Sequence, residues 1–78
     1  MIGRDSDQCD VVLLHASISR RHARLSVGSD NKLRIEDVGS TNGTSIDGKL
    51  IASGSLPEPL VSGSTLRLGD IELVVRYD

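Results

Sequence analysis

The chain is notable first for what it lacks. Among its 78 residues there is no phenylalanine and no tryptophan, and Tyr77 is the only aromatic side chain. Base-stacking platforms are therefore missing, which excludes the usual way of gripping single-stranded nucleic acid. The net charge is -2, so the broad basic surface of a general polyanion binder is missing too. Cys9 is alone, which excludes an intramolecular disulfide and any cysteine metal cluster, and suits an intracellular setting, cytoplasmic or nuclear. No apolar run is long enough for a membrane span, and no signal peptide is present. Helical spacing of apolar residues over three turns is absent. No metal site and no cofactor is expected.

What is present is strand patterning. The apolar fraction is 37%, mostly Leu, Val and Ile, so the core is expected to be aliphatic and thin. Val11–Leu14 is a short apolar run. Ala23, Leu25 and Val27 alternate with polar neighbours, as do Leu33, Ile35 and Asp37. Leu66 and Leu68, then Ile71, Leu73 and Val75, repeat the pattern. A period of two means strands with one wet face. Turn chemistry separates them: "VGSDNK", "TNGT" with the tight-turn pair Asn42-Gly43, and Gly69-Asp70. "SGSLPEP" reads as a loop, because its prolines would spoil a central strand. Short strands at close spacing predict an all-β, antiparallel sandwich or small barrel. Residues 1–78 read as one domain, and Met1 directly before "IGR" reads as the start of a piece of a longer protein.

Three short stretches carry chemistry. Gly3-Arg4 pairs a flexible backbone position with a planar guanidinium fork suited to phosphate or carboxylate. "SISRRHA" places Ser19, Arg20, Arg21, His22 and Arg24 together. Ser19 with His22 could be a nucleophile and base, but no acid stands at a supporting spacing and no strand–Ser–helix elbow exists. Alternatively, His22 ties loops together while Ser19 and Arg20 meet an anion. "GSTNGT" could cradle a phosphate, yet it lacks the lysine of a nucleotide P-loop; alone, Asn42-Gly43 reads as a hairpin turn.

In combination these stretches closely resemble one family. Gly-Arg, Ser-x-x-His fifteen residues after that arginine, and Ser-Thr-Asn-Gly-Thr twenty-one residues after that serine resemble the forkhead-associated (FHA) domain. "CDVVL", "RIEDVGSTNGTSIDGKLI" and "LVSGSTLRLGDIELVV" extend the likeness from Ile2 to about Val75. The departure is at the start, where the family's strand before Gly-Arg is reduced to Met1 and Ile2. A truncated first strand leaves its neighbour open to pairing, so a homodimer through strand exchange is an expectation.

The resemblance implies a β-sandwich with ligand loops at one end, binding phosphothreonine peptides in Ser/Thr-kinase signalling, without catalysis. By position, Arg4 contacts the phosphate, and Ser19 donates its hydroxyl and its N–H. Arg20 contacts phosphate or peptide. Thr41 donates near the phosphate, with Ser40 a weaker donor, and Asn42 bonds the peptide backbone. Gly3, His22 and Gly43 support the site. Ser17 stands where some members carry a selector for a downstream peptide residue. Threonine preference is implied from a methyl pocket, worth at most about 0.8 kcal/mol by area. Arg21, Arg24, His15 and Cys9 read as surface or inert groups. The alternative is an FHA-fold domain used for phosphate-independent contact or self-association. Neither nucleic acid nor membrane is an expected partner.

Overall fold

In a computed structural model the chain is described over residues 1–77. Nine strands follow one another among the described residues: β1 (Ile2–Gly3), β2 (Val11–Val12), β3 (Ala23–Val27), β4 (Leu33–Asp37), β5 (Thr44–Ile46), β6 (Lys49–Ile51), β7 (Glu58–Leu60), β8 (Thr65–Leu68) and β9 (Ile71–Val74). They form a five-stranded sheet in the order β2-β1-β3-β4-β7 and a four-stranded sheet in the order β6-β5-β8-β9. Every strand pair is antiparallel except β1 with β2, where Ile2 faces Val11 and Gly3 faces Val12 in parallel. No helix among the described residues is long and apolar enough to cross a membrane.

Both sheets contribute to one aliphatic core. Ile2, Ile18, Ala23, Ile35, Ile51, Leu60, Leu66 and Leu68 are buried, and Leu13, Leu25, Leu33, Ile46, Ile71, Leu73 and Val75 pack around them. The alternation works as expected in β8, where Leu66 and Leu68 are buried around an exposed Arg67. In β3 it fades outward: Ala23 is fully buried and Val27 is 66% exposed. Tyr77 latches the end of the chain by donating its hydroxyl to the Leu60 carbonyl at 2.6 Å.

The β3–β4 hairpin is closed at residues 28–32. Arg34 donates two bonds to Asp30, at 3.2 and 2.9 Å, and the Lys32 amide donates a third at 3.1 Å. Those bonds, with the Arg34 side chain foremost, hold the Asp30 carboxyl at about 2, below the usual 3.8. The expected turn at Gly69-Asp70 joins β8 to β9, with Leu68 paired to Ile71.

Three expectations are corrected. The tight hairpin turn is not at Asn42-Gly43. It falls at Asp47-Gly48, both at positive φ, between Ile46 and Lys49. Asn42 keeps an ordinary φ, and its loop instead carries the chain from one sheet to the other. The proline-rich loop ends earlier than expected, because Pro59 sits in β7 opposite Arg34. β7 is an edge strand, where a missing N–H costs no ladder bond. The apolar run Val11–Leu14 is strand only at Val11–Val12, and Leu14 is 84% exposed. The first strand is short: Ile2 pairs with Val11 on one side and with Ala23 on the other, and β1 reaches no further along β3 than Ala23.

Candidate phosphate and peptide site

Antiparallel pairing brings one set of chain segments to the same end of the sandwich. The C-terminal end of β1, the N-terminal end of β3, the C-terminal end of β4, the N-terminal end of β5 and the β8–β9 turn all lie there. The residues between them are the ones the sequence singled out.

Gly3 sets the first contact. A Cβ at this position would lie 2.1 Å from the Arg20 carbonyl oxygen and 2.9 Å from Cys9 Sγ. Only glycine permits that approach. Beyond it, the Arg4 amide donates to the Ser19 carbonyl at 3.0 Å and the Asp5 amide to the Arg20 carbonyl at 3.2 Å. Cys9 Sγ donates to the same Arg20 carbonyl at 3.2 Å. Arg4 and Arg20 thus line one open depression of about 320 Å³, with Asp5 and Ser6. Among the described residues, the arginine ion pairs are those of Arg24, Arg34 and Arg67, and Arg4 and Arg20 have none.

His22 locks the serine loop. It is fully buried. Its Nδ1 accepts the Ser19 amide at 3.1 Å, so the proton resides on Nε2, which donates to the Gly43 carbonyl at 2.8 Å. Both ring nitrogens are occupied by backbone, and neither meets the Ser19 hydroxyl, so the pair is not arranged as a nucleophile and base. The Ser19 N–H, expected to reach a phosphate, is committed to His22. The Ser19 oxygen accepts the Thr41 amide at 3.0 Å. This leaves the hydroxyl hydrogen of Ser19 free to donate. The Thr41 hydroxyl has no partner among the described residues, and the residue is exposed.

Asp37 organises the loop that carries Thr41 and Asn42. Its carboxylate accepts the Gly39 and Ser40 amides, each at 2.8 Å, the Thr44 hydroxyl at 2.8 Å and the Ser40 hydroxyl. Burial pushes the carboxyl pKa up, and these bonds, led by Ser40, outweigh it, so the group titrates below its usual 3.8. Ser40 is consumed in this frame: its hydroxyl hydrogen and its amide go to Asp37, and its oxygen accepts the Gly43 amide at 3.1 Å.

Ser17 does the corresponding work on the other side. Its carbonyl accepts Asn42 Nδ2 at 2.9 Å, which turns the Asn42 Oδ1 acceptor away from the frame. Its hydroxyl accepts the Asp70 amide at 2.9 Å and lies 2.8 Å from His15 Nδ1, which also accepts the Ser17 amide at 3.1 Å. Gly69 rests on the same residue, since a Cβ there would fall 2.5 Å from the Ser17 carbonyl oxygen. Ser17 is 8% exposed, so it stands behind the site rather than in the place of a selector.

The structure therefore gathers Arg4, Ser19, Arg20, Thr41 and Asn42 on linked loops, with Gly3, His22, Ser40 and Gly43 behind them. Sequence reasoning missed Asp37 and Ser17 as organisers. Asp37 did carry a signal: a carboxylate on the inward face of a strand, just before a loop rich in N–H and hydroxyl donors. Ser17 carried none for this role, because its partners His15, Asn42 and Asp70 are brought to it by tertiary packing and by backbone groups.

An open depression lined by two arginines without carboxylate partners, next in the chain to the fixed Ser19 and on loops at the end of a rigid sandwich, has the character of a recognition site. The family model for the FHA domain matches residues 1–69, and the chain belongs to that family. FHA domains are recognition modules rather than enzymes. The chain is 35% identical over 77 residues to FHA domain-containing protein PS1 of Arabidopsis thaliana, covering 97% of this chain and 5% of the relative. It is 38% identical over 79 residues to Mediator of DNA damage checkpoint protein 1 of Rattus norvegicus, covering 100% of this chain and 6% of the relative. The chain thus spans a small part of these relatives' lengths. A solved FHA domain whose interactions are phosphothreonine-dependent superposes with a TM-score of 0.86 at 29% identity, covering 100% of this chain and 75% of that one.

Proposed function

We propose that this chain is a non-enzymatic module that recognises phosphothreonine in peptides and so makes protein–protein contact depend on a Ser/Thr kinase. One observation carries the reading. Ser19 has its amide tied to His22 and its oxygen tied to Thr41, which aims its one free hydrogen outward, on a loop shared with the unpaired Arg20 and held beside Arg4. A phosphorylated threonine brings about -1.5 to -2 charges and three acceptor oxygens at neutral pH. Two guanidinium groups and the hydroxyls of Ser19 and Thr41 supply donors for those oxygens, and charge-assisted bonds are roughly twice as strong as neutral ones. Asn42 is exposed, and with its Nδ2 held by Ser17 its Oδ1 is the acceptor we assign to a peptide N–H. Two further depressions, of about 350 and 330 Å³, flank Asn42-Gly43 on either side of the protruding Leu50 and give room for neighbouring peptide side chains. Ser40 belongs to the frame. Cys9, which forms no disulfide, fits a reducing compartment, cytoplasm or nucleus.

The test is a titration of matched phosphothreonine, phosphoserine and unphosphorylated peptide libraries against the wild type and Arg4→Ala. Phosphothreonine peptides bind, phosphoserine peptides bind more weakly, and Arg4→Ala loses about 10- to 100-fold in affinity, as for a charge-assisted bond worth about 1.5–3 kcal/mol. Equal binding of the unphosphorylated library would instead establish phosphate-independent contact.

A further inference from the structure

We propose that Ser6 is a phosphorylation site whose phosphate closes the anion depression from within the chain. The inference rests on the reading of that depression as the phosphate site. Ser6 lines it together with Arg4, Asp5 and Arg20. The segment is held there by a closed turn. The Gln8 and Cys9 amides donate to the Asp5 carbonyl at 3.2 and 3.0 Å, and the Asp7 amide donates to Asp5 Oδ1 at 2.9 Å. The Asp5 amide ties the foot of the turn to the Arg20 carbonyl. Ser6 is exposed, and its hydroxyl has no hydrogen-bond partner among the described residues. A hydroxyl in this position is open to a kinase and already shares a depression with Arg4 and Arg20, neither of which has a carboxylate partner among the described residues.

The reaction is ordinary phosphoryl transfer by a serine kinase acting in trans, one that accepts the acidic neighbours Asp5 and Asp7. The Ser6 hydroxyl oxygen attacks the terminal phosphorus of a nucleoside triphosphate. A new O–P bond forms, and the bond from that phosphorus to the bridging oxygen breaks. The nucleoside diphosphate leaves with the electron pair, and the hydroxyl proton passes to the kinase's base. The product carries about -1.5 to -2 charges on Ser6. Arg4 and Arg20 attract it, and Asp5 and Asp7 oppose it. A phosphate on so short a tether faces its site at an effective concentration on the order of millimolar. A peptide that binds in the micromolar range does not displace it easily. Phosphorylation of Ser6 thus switches the module off.

The experiment uses the full chain with phosphoserine installed genetically at position 6. Its phosphate is titrated by phosphorus NMR, alone and with Arg4→Ala plus Arg20→Ala. Free phosphoserine titrates near pH 6, and pairing with the arginines lowers that value by about half a unit or more, an effect lost in the double variant. The same protein is then titrated with a phosphothreonine peptide that binds the unmodified chain, and affinity falls at least tenfold. A phosphate that titrates at its free value or higher, or an unchanged affinity, overturns the proposal. If the unmodified chain binds no phosphothreonine peptide, the functional reading fails by itself, and the NMR titration still decides whether the Ser6 phosphate docks on Arg4 and Arg20.

Discussion

At the scale of single residues, the site depends on groups that never meet the ligand. Asp37 gathers four donors from the loop that carries Thr41 and Asn42. Replacing it with alanine strands those donors, and Asp37→Ala is expected to lose about 2–4 kcal/mol of unfolding free energy in urea titrations. The same carboxylate gives a pH dependence with a definite sign. Its native pKa lies below the ordinary 3.8, so the unfolded chain takes up the proton more readily. Its contribution is complete above pH 3.8 and is lost as pH falls from there through the native value. Asp30, held at about 2 by Arg34, acts in the same direction. Acid unfolding followed by circular dichroism should therefore steepen below about pH 4, and Asp37→Asn should flatten the part that Asp30 does not supply. His22 is a second support. His22→Ala frees the Ser19 amide and the Gly43 carbonyl and opens a cavity, with an expected loss of about 2–4 kcal/mol. Peptide affinity should fall with it, since the Ser19 hydroxyl loses its aim.

At the scale of elements, two glycines decide how the loops dock. Gly3 lets the Arg20 carbonyl come against β1, and Gly69 lets the β8–β9 turn rest on Ser17. Gly69 also sits at a φ of 58°, where an added side chain is strained. Gly69→Ala is expected to destabilise by about 2–3 kcal/mol, from overpacking plus the left-handed backbone. It should also move Ser17 and, through its carbonyl, the Asn42 amide. Amide chemical shifts of residues 17, 42 and 70 measure this directly, and they should change together in Gly69→Ala and remain fixed in Gly54→Ala, whose glycine faces open space. A Gly69→Ala protein with unmoved shifts at those residues would break the proposed link between turn and site.

At the scale of the whole molecule, a net charge of -2 is compatible with the proposed anion site because the relevant field is local. Three arginines are neutralised by carboxylates, Arg34 by Asp30, Arg24 by Glu36 and Arg67 by Asp70, while Arg4 and Arg20 form no ion pair among the described residues. Phosphopeptide affinity should weaken below about pH 6, where the phosphate dianion gains a proton. Calorimetric titrations from pH 5 to 8 check this, and a flat profile would contradict selectivity for the dianion.

The sequence by itself determined the strand pairs and the end of the sandwich that matters. Period-two burial is a local property, visible in Leu66 and Leu68, and the turn chemistry at residues 28–32 and 69–70 is equally local. The spacing of Arg4, Ser19 and Asn42 was enough to single out candidate residues through the family resemblance it carries, and the strand pairs bring them to one end of the sandwich. Tertiary structure decided what those residues are free to do. Whether Ser19 offers its amide or its hydroxyl depends on His22 lying between it and Gly43. Whether Ser40 meets a ligand depends on Asp37 having already taken its hydrogen. Asn42-Gly43 has the composition of a hairpin turn, yet it forms a crossover, because Ser17 holds the Asn42 side chain from twenty-five positions upstream. Each of these outcomes is a competition for one donor or acceptor among segments distant in the chain. Local pattern carries no record of which partner wins, since the winner is set by the packing that brings the segments together.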